Sequence, residues 1–275
     1  MSEVQMVDTG TRDLLCHIED QVAVVTLNRP DAKNALSPDM KDALGVLIPR
    51  LNAPDDLGQG VRCLLLTGAG SAFCAGGDTK SMAKGDAIPR LDDRIRRVRR
   101  EHEFPAALHE SSIPVIASLP GAAAGAGFSI ALACDLRIAA QSAFLITSFG
   151  RVGLSGDYGG TWFLTHLVGP AKARELYFLS PRIASQECLQ LGLFNWVVPD
   201  EELPERALAL ARQIAAGPPI AHRYMKENLN RALTEDLRTC LEFEADRQVR
   251  GAFSDDYKEA VEAFLEKRTP LFQNR

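Results

Sequence analysis

The chain has 275 residues, 46% hydrophobic and 24% charged, which suits one globular domain, or one and a half, with a full buried core. Its 31 Lys and Arg against 36 Asp and Glu leave a formal charge of −5, which argues against a nucleic-acid partner, although local basic patches can still bind a phosphorylated ligand. The start MSEVQMVDTG is polar and acidic where a signal peptide is basic and then apolar, and no run approaches about 18 apolar residues, so a soluble cytoplasmic protein without a membrane segment is expected.

In chain order, HIEDQVAVVTLNRP reads as a strand pair that Asn28-Arg29-Pro30 ends. NALSPDMKDALGVLIPRLN opens a helix with Ser37 as N-cap, Pro38 in the first position, and Met40, Leu44 and Leu47 at helical spacing. The unit of strand, glycine turn and helix recurs at VRCLLLTG, at PVIASLPGAAAG with FSIALACD, and more weakly at LRIAAQSAFLIT. The block RIRRVRR (Arg94 to Arg100) reads either as a solvated helix face or as a guard of a pocket mouth. After about residue 170 the pattern turns helical: AKARELYFL, SQECLQLGL, ERALALARQIAA and the charged run from Tyr224 to Lys267, with one strand, LFNWVVP, between. The six cysteines (Cys16, Cys63, Cys74, Cys134, Cys188, Cys240) show no CxxC spacing and no partnering histidine. They are expected as reduced core residues, with no metal site.

Two glycine-rich segments stand out, AFCAGGD (Ala72 to Asp78) and PGAAAGAGFSIALACDLRIA (Pro120 to Ala139), each after a short apolar run. Small residues after a strand let backbone approach a ligand and leave N–H groups pointing outward at the next helix, so two facing turns make an anion hole. Neither segment fits a nucleotide fingerprint: Phe73 stands where a third GxGxxG glycine belongs, and no Lys-Ser or Lys-Thr follows a last glycine. Gly153-Leu154-Ser155-Gly156-Asp157 nearly makes a serine elbow but ends on Asp157, which argues against a serine hydrolase.

The stretches NRPDAKNALS, LLLTGAGSAFCAGGDTKSM, PVIASLPGAAAGAGFSIALACDLRIA, RVGLSGDYGGTWFLTHLVG, ELYFLSPRIASQECLQLGLFNWVVP and FLEKRTP together resemble the crotonase superfamily, the enoyl-CoA hydratase/isomerase family, collinearly from about residue 18 to residue 272. The resemblance implies an α/β fold, a crotonase-like spiral of ββα units over residues 1–200, with a helical C-terminal trimerisation region over 201–275. It also implies a homotrimer or a hexamer built as a dimer of trimers, an acyl-CoA substrate, and no cofactor apart from the coenzyme A carried by that substrate. By motif position the N–H groups of Gly77 and Ala126 become the thioester oxyanion hole, and Lys33, Ala35, Ala75, Gly76, Asp78, Thr79, Lys80, Phe264 and Lys267 match CoA-contacting positions.

The same resemblance bears on the reaction. Hydratases of the family carry two glutamates, at positions held here by Ser129 and, allowing a one-residue insertion after Phe144, by Phe149. Asp157 occupies the slot of the acid in enoyl-CoA isomerases, dienoyl-CoA isomerase and ring-epoxide isomerases, and of the nucleophile in chlorobenzoyl-CoA dehalogenase. Its small and apolar flanks should raise its pKa and make it a better base, so the leading expectation is a double-bond or related isomerisation with Asp157 as a single proton shuttle. Other readings stay open: a hydratase with non-standard residues, an aroyl-CoA dehalogenase or hydrolase using Asp157 with His102 as base, and an acyl-CoA binder without turnover. Asp157 could also merely cap the helix beginning near Gly159, and Asp135 is expected in a structural ion pair or cap. His17, His109, His166 and His222 read as surface or packing residues.

Overall fold

The structure, a computed structural model, describes residues 4–53, 56–58, 60–78 and 90–275. It opens with an antiparallel meander, β1 (Gln5–Val7), β2 (Leu14–Glu19) and β3 (Val22–Leu27). Asp20 and Gln21, at φ 47° and 65°, form the two-residue turn of the β2–β3 hairpin, and positive φ at both central positions matches the right-handed twist of the strands. Helix α1 (Pro38–Asn52) follows, with Ser37 Oγ accepting from Met40 N at 3.1 Å and Pro38 in its first turn. Its buried stripe of Met40, Ala43, Leu44, Leu47, Ile48 and Leu51 joins the main core.

From here the chain alternates between two sheets. Strand β4 (Cys63–Gly68) lies in the larger sheet and β5 (Ala72–Cys74) in the smaller, and α2 (Leu91–His109) comes next. The second turn repeats the order with β6 (Val115–Leu119), β7 (Ala122–Ala124) and α3 (Ala126–Ala133). The third has β8 (Leu136–Ala140), β9 (Phe144–Ile146), a 3-10 turn over Phe149–Val152, and α4 (Gly160–Leu179). Then come β10 (Ile183–Ala184), α5 (Ser185–Gln190) and β11 (Trp196–Val198). The larger sheet runs β1-β2-β3-β4-β6-β8-β11, parallel from β3 onward, and the smaller runs β10-β9-β7-β5. This is the expected spiral of ββα units. Buried on both faces, β4 and β6 read as continuous apolar runs.

Four helices close the chain: α6 (Leu203–Ala215), α7 (Pro219–Arg231), α8 (Leu237–Ala252) and α9 (Asp255–Glu266). Helix α6 lies across β4, β6 and β8, burying Leu203, Ala207, Ala211 and Ala215 at every fourth position, so small side chains set it close to the sheet. Helix α7 is tied down by Lys226, whose buried ammonium donates to Asp135 (2.7 Å), Leu108 O (3.0 Å) and Ile113 O (3.2 Å). Asp135 also accepts from Val115 N at 2.7 Å, which makes it the structural ion pair expected. The onset of the helical region differs from the expectation of about residue 170. AKARELYFL is the second half of α4, which starts at Gly160 and kinks at Gly169 (φ 75°) before Pro170, so the loss of amphipathic phase there hides the first half.

The spiral requires bare α-carbons where its layers meet. A Cβ on Gly127 would lie 2.3 Å from Cys74 O and 2.6 Å from Cys74 Cβ. Gly127→Ala is therefore predicted to destabilise the fold by roughly 2 kcal/mol through overpacking. Gly45→Ala, on the exposed side of α1 with nothing within 4 Å of the new carbon, is predicted to stabilise it by about 0.5–1 kcal/mol. Urea denaturation of both variants checks the opposite signs.

Candidate active site

Strands β5, β7 and β9 pair in parallel, Ala72 with Ala122, Cys74 with Ala123, and Ala123 and Ala124 with Leu145 and Ile146. Their carboxyl ends therefore lie side by side, and the segments that leave them form one edge, the usual ligand-binding edge of parallel strands. Those segments are the first glycine turn, the second glycine turn, and the loop that carries Phe149. A Cβ on Gly76 (φ 88°) would sit 2.7 Å from Ala124 O and 3.2 Å from Ala126 N, so the two turns are in backbone contact.

Within the first turn, Ala75 N donates to Lys33 O (2.9 Å) and Gly76 N to Cys74 Sγ (3.4 Å). Gly77 makes an isolated parallel bridge with Leu36, whose N–H donates to Gly76 O (2.8 Å). In the second turn Gly125 N donates to Ile146 O (3.1 Å), and Ala126 is the first residue of α3, where an N–H has no acceptor inside the helix. Among the described residues, no hydrogen bond uses the N–H of Gly77 or of Ala126. Two free backbone donors on adjoining turns, one at a helix N-terminus, can hold a developing oxyanion.

Asp157 lies in a turn of left-handed backbone, between Gly156 (φ 111°) and Tyr158 (φ 53°) and Gly159 (φ 74°). It does not cap α4: the N-cap is Gly159, without a side-chain cap, and Gly160 N takes the backbone oxygen of Asp157 (3.1 Å). The capping alternative is thereby set aside. Asp157 Oδ1 is buried with no hydrogen-bond partner among the described residues. Burial pushes its pKa up to about 6, the Glu101 carboxylate pushes the same way, and Lys41 opposes them.

Helix α2 clasps this turn at two points. Tyr158 OH donates to Glu101 Oε2 (3.2 Å), and Tyr158 N donates to His102 Nε2 (3.3 Å). Glu101 Oε1 also receives Lys41 Nζ (2.7 Å) and Arg97 Nε (3.1 Å), so two ion pairs fix Glu101 beside the turn. The Nε2 lone pair of His102 faces a backbone N–H, the imidazole packs edge-on to Tyr158, and burial lowers its pKa although Glu101 and Glu103 pull it upward. His102 is placed as a strut for the turn.

Ser129 is fully buried on α3, its hydroxyl 3.4 Å from Gly125 O. Phe149, also buried, comes 3.8 Å from where a Cβ on Gly125 would stand and stacks on Tyr177 at 6.1 Å. A Cβ on Gly160 would meet Ser129 Oγ at 2.2 Å and Tyr177 OH at 2.7 Å, so these hydroxyls face the backbone just beyond Asp157. Ser129, Phe149, Ala126 and Asp157 thus lie on adjoining segments. Glu101 and Tyr177 were not anticipated: Glu101 directly follows the RIRRVRR block, and Tyr177 lies in the run AKARELYFL, read only as helical. The one signal for Glu101 was its spacing of four from Arg97 on a helix face.

Around Lys33, Asn34 (φ 56°) accepts Arg29 N and donates to Ala69 O (2.9 Å) and Ala72 O (2.7 Å), fastening this segment beside the first glycine turn. Arg29 ties Asp78 (3.1 Å) to the carbonyl of the buried Ala35 (2.6 Å). Lys33, Ala35, Ala75, Gly76 and Asp78 form one group with the Lys33 side chain exposed. Phe264 and Lys267, at the end of α9, are exposed. Thr79 and Lys80 lie outside the described residues. Most of the RIRRVRR block is exposed on α2, the solvated-face reading, while Arg97 pairs with Glu101. The five cysteines other than Cys240 are buried, and burial pushes their thiols up to about 12. Among the described residues no group of three or more His, Cys, Asp or Glu could hold a metal, and no helix is long and apolar enough to cross a membrane.

A family model described as enoyl-CoA hydratase/isomerase matches residues 17–275. The chain is 37% identical over 262 residues to 1,2-epoxyphenylacetyl-CoA isomerase of Escherichia coli strain K12, covering 95% of this chain and 98% of that protein. It is 36% identical over 261 residues to the short-chain-enoyl-CoA hydratase of Clostridium acetobutylicum, covering 94% and 96%. Its fold is similar to the crystal structure of an enoyl-CoA hydratase from Polaromonas sp. JS666, with a TM-score of 0.87 at 35% identity over 94% of this chain and 99% of that one. With the ββα spiral and the paired turns already in place, these matches establish that the chain is a crotonase-type enzyme and belongs to the enoyl-CoA hydratase/isomerase family.

Proposed function

We propose that this enzyme shifts a double bond along the acyl chain of an enoyl-CoA, or carries out a related isomerisation of a CoA thioester, with Asp157 as its proton shuttle. The observation that carries the reading is the buried carboxylate of Asp157, whose Oδ1 has no hydrogen-bond partner among the described residues, and the family resemblance, by which Ser129 and Phe149 stand at the positions of the hydratase acids, supports it. Asp157 takes a proton from the α-carbon of a 3-enoyl-CoA, and the C–H electrons pass through the conjugated system to the thioester oxygen. The N–H groups of Gly77 and Ala126 hold that oxyanion, each such donor contributing roughly 3–4 kcal/mol in the transition state. Asp157 then returns the proton to the γ-carbon, and the double bond ends conjugated with the thioester. The reaction needs no water and no group beyond the coenzyme A of the substrate.

The relative named 1,2-epoxyphenylacetyl-CoA isomerase supports isomerase chemistry, and the relatives named hydratases keep water addition as the second reading. The lone pair of His102, facing Tyr158 N, weighs against its use as the base in nucleophilic chemistry. Lys33, Asp78 and their neighbours are assigned to the CoA moiety. Copies of the chain are taken to meet at the C-terminal helices, as a trimer or a dimer of trimers. There Tyr224, Met225, Leu229, Leu241 and Phe272 line an apolar groove of about 840 Å³. A cytoplasmic location belongs to the same reading.

Asp157→Asn is predicted to lower kcat on a 3-enoyl-CoA by roughly a thousandfold. The same change should stabilise the fold. A carboxyl whose folded pKa is raised to about 6 costs stability as pH rises from about 4, the unfolded value, through about 6, and Asn carries no such cost. Allowing for partial exposure, the variant should gain about 2 kcal/mol above pH 6 and nothing below pH 4, read by denaturant unfolding across pH. Because the base must be ionised, kcat/KM should rise with pH, reach half its plateau near pH 6, and stay flat above. Glu101→Gln removes a negative charge that disfavours ionisation and should move that half-point to lower pH. A half-point that stays fixed in a folded Glu101→Gln variant refutes the assigned role of Glu101.

A further inference from the structure

The first glycine turn is held by a chain of two peptide groups that begins at a charged side chain. Arg29 Nη1 donates to Ala35 O at 2.6 Å, and Leu36 N, in the same peptide plane as that carbonyl, donates to Gly76 O at 2.8 Å. The Gly76 carbonyl in turn shares its peptide plane with the N–H of Gly77. Each of these peptides is planar and trans, so its C=O and N–H point in opposite directions. Fixing the Ala35 carbonyl on Arg29 therefore turns the Leu36 N–H toward Gly76, and fixing the Gly76 carbonyl on Leu36 turns the Gly77 N–H away from Leu36. The guanidinium stands two peptides behind the N–H assigned to the oxyanion hole.

Arg29 is itself firmly placed. Its N–H donates to Asn34 Oδ1 (2.9 Å) and its carbonyl accepts Asn34 N (2.9 Å). Nη2 donates to Asp78 Oδ2 at 3.1 Å, and Nε lies 3.5 Å from Asp13 Oδ2, which also accepts the hydroxyl of Ser37, the N-cap of α1, at 2.6 Å. The two carboxylates orient the fork of the guanidinium and balance its charge, so its effect on the turn runs along the hydrogen bonds and not through a free positive charge. Hydrogen bonds in such a chain polarise one another, and a charged donor at its head strengthens the donor at its end. Ala126 N draws instead on the N-terminus of α3.

We propose that Arg29 is a positioning residue for the oxyanion hole, aiming and polarising the Gly77 N–H through the Ala35–Leu36 and Gly76–Gly77 peptides. The assignment rests on the reading of that N–H as a thioester donor, and it extends the site to a side chain outside the paired turns.

Butyryl-CoA carrying ¹³C at its thioester carbonyl is the probe, since without a double bond it neither isomerises nor adds water. Isotope-edited infrared difference spectra give the carbonyl stretch of the bound ligand, which in the wild type should lie below its value in solution. In Arg29→Gln the band should move part of the way back, and kcat on a 3-enoyl-CoA should fall roughly fivefold with KM within about threefold. An ester in place of the Leu36 amide, introduced as the α-hydroxy acid, cuts the chain in its middle with every side chain kept and should move the band the same way. An unmoved band and kcat in folded Arg29→Gln would overturn the proposal, as would a change in KM alone, which would assign Arg29 to holding the CoA moiety. Should Arg29→Gln not fold, the ester variant decides, and an unmoved band there overturns the proposal. Both of these results leave the oxyanion-hole reading standing. A wild-type band at its solution frequency would overturn the oxyanion-hole reading and the proposal with it, and failure of butyryl-CoA to bind would overturn the acyl-CoA reading itself.

Discussion

Everything at this site depends on how closely three short parallel strands can bring their ends together. Strands β5, β7 and β9 are only three residues each, and they stay in contact beyond their last hydrogen bond because the backbones that follow carry no side chains where they touch. Gly121 lies against Ser71 O, Gly127 against Cys74 O, and Gly76 against Ala124 O, each at a separation that a Cβ could not occupy. Close approach of backbone to backbone brings the turn at Gly76 against the turn at Ala124 to Ala126.

The second constraint is electrostatic. As the proposed base, Asp157 must be desolvated enough to hold a proton near neutrality and yet remain ionisable; burial moves it furthest in that direction and one helix adds to it. Glu101, anchored by Lys41 and Arg97, grips the Tyr158 hydroxyl and lends its negative charge to the surroundings of Asp157. His102, one residue on, holds the backbone of the same turn. Geometry and proton affinity of Asp157 are therefore coupled through Tyr158. Such a buried carboxyl is a local instability, sustained by a core that is otherwise closely packed.

Much of the frame was legible from residue types. The hairpin, the Ser37 cap and the strand-turn-helix units follow from β-branched runs, capping chemistry and glycine placement, all local properties. The paired turns were legible because small residues at a strand end have few other uses. Glu101 and Tyr177 escaped because their meaning is not local. A glutamate among arginines looks solvated until α2 is laid against Tyr158, and a tyrosine in ELYFL looks like packing until its ring is found stacked on Phe149 with its hydroxyl against Gly160. The start of α4 was missed because the Gly169–Pro170 kink breaks the helical period on which such a reading relies.

The most direct test of the whole account is a crystal structure of the Asp157→Asn protein with a 3-enoyl-CoA bound. The account predicts the thioester oxygen within about 2.7–3.1 Å of both Gly77 N and Ala126 N, with the α- and γ-carbons facing residue 157 and no other carboxylate in reach. A thioester oxygen seated away from those two N–H groups, or a water held on the β-carbon by another carboxylate, would contradict it.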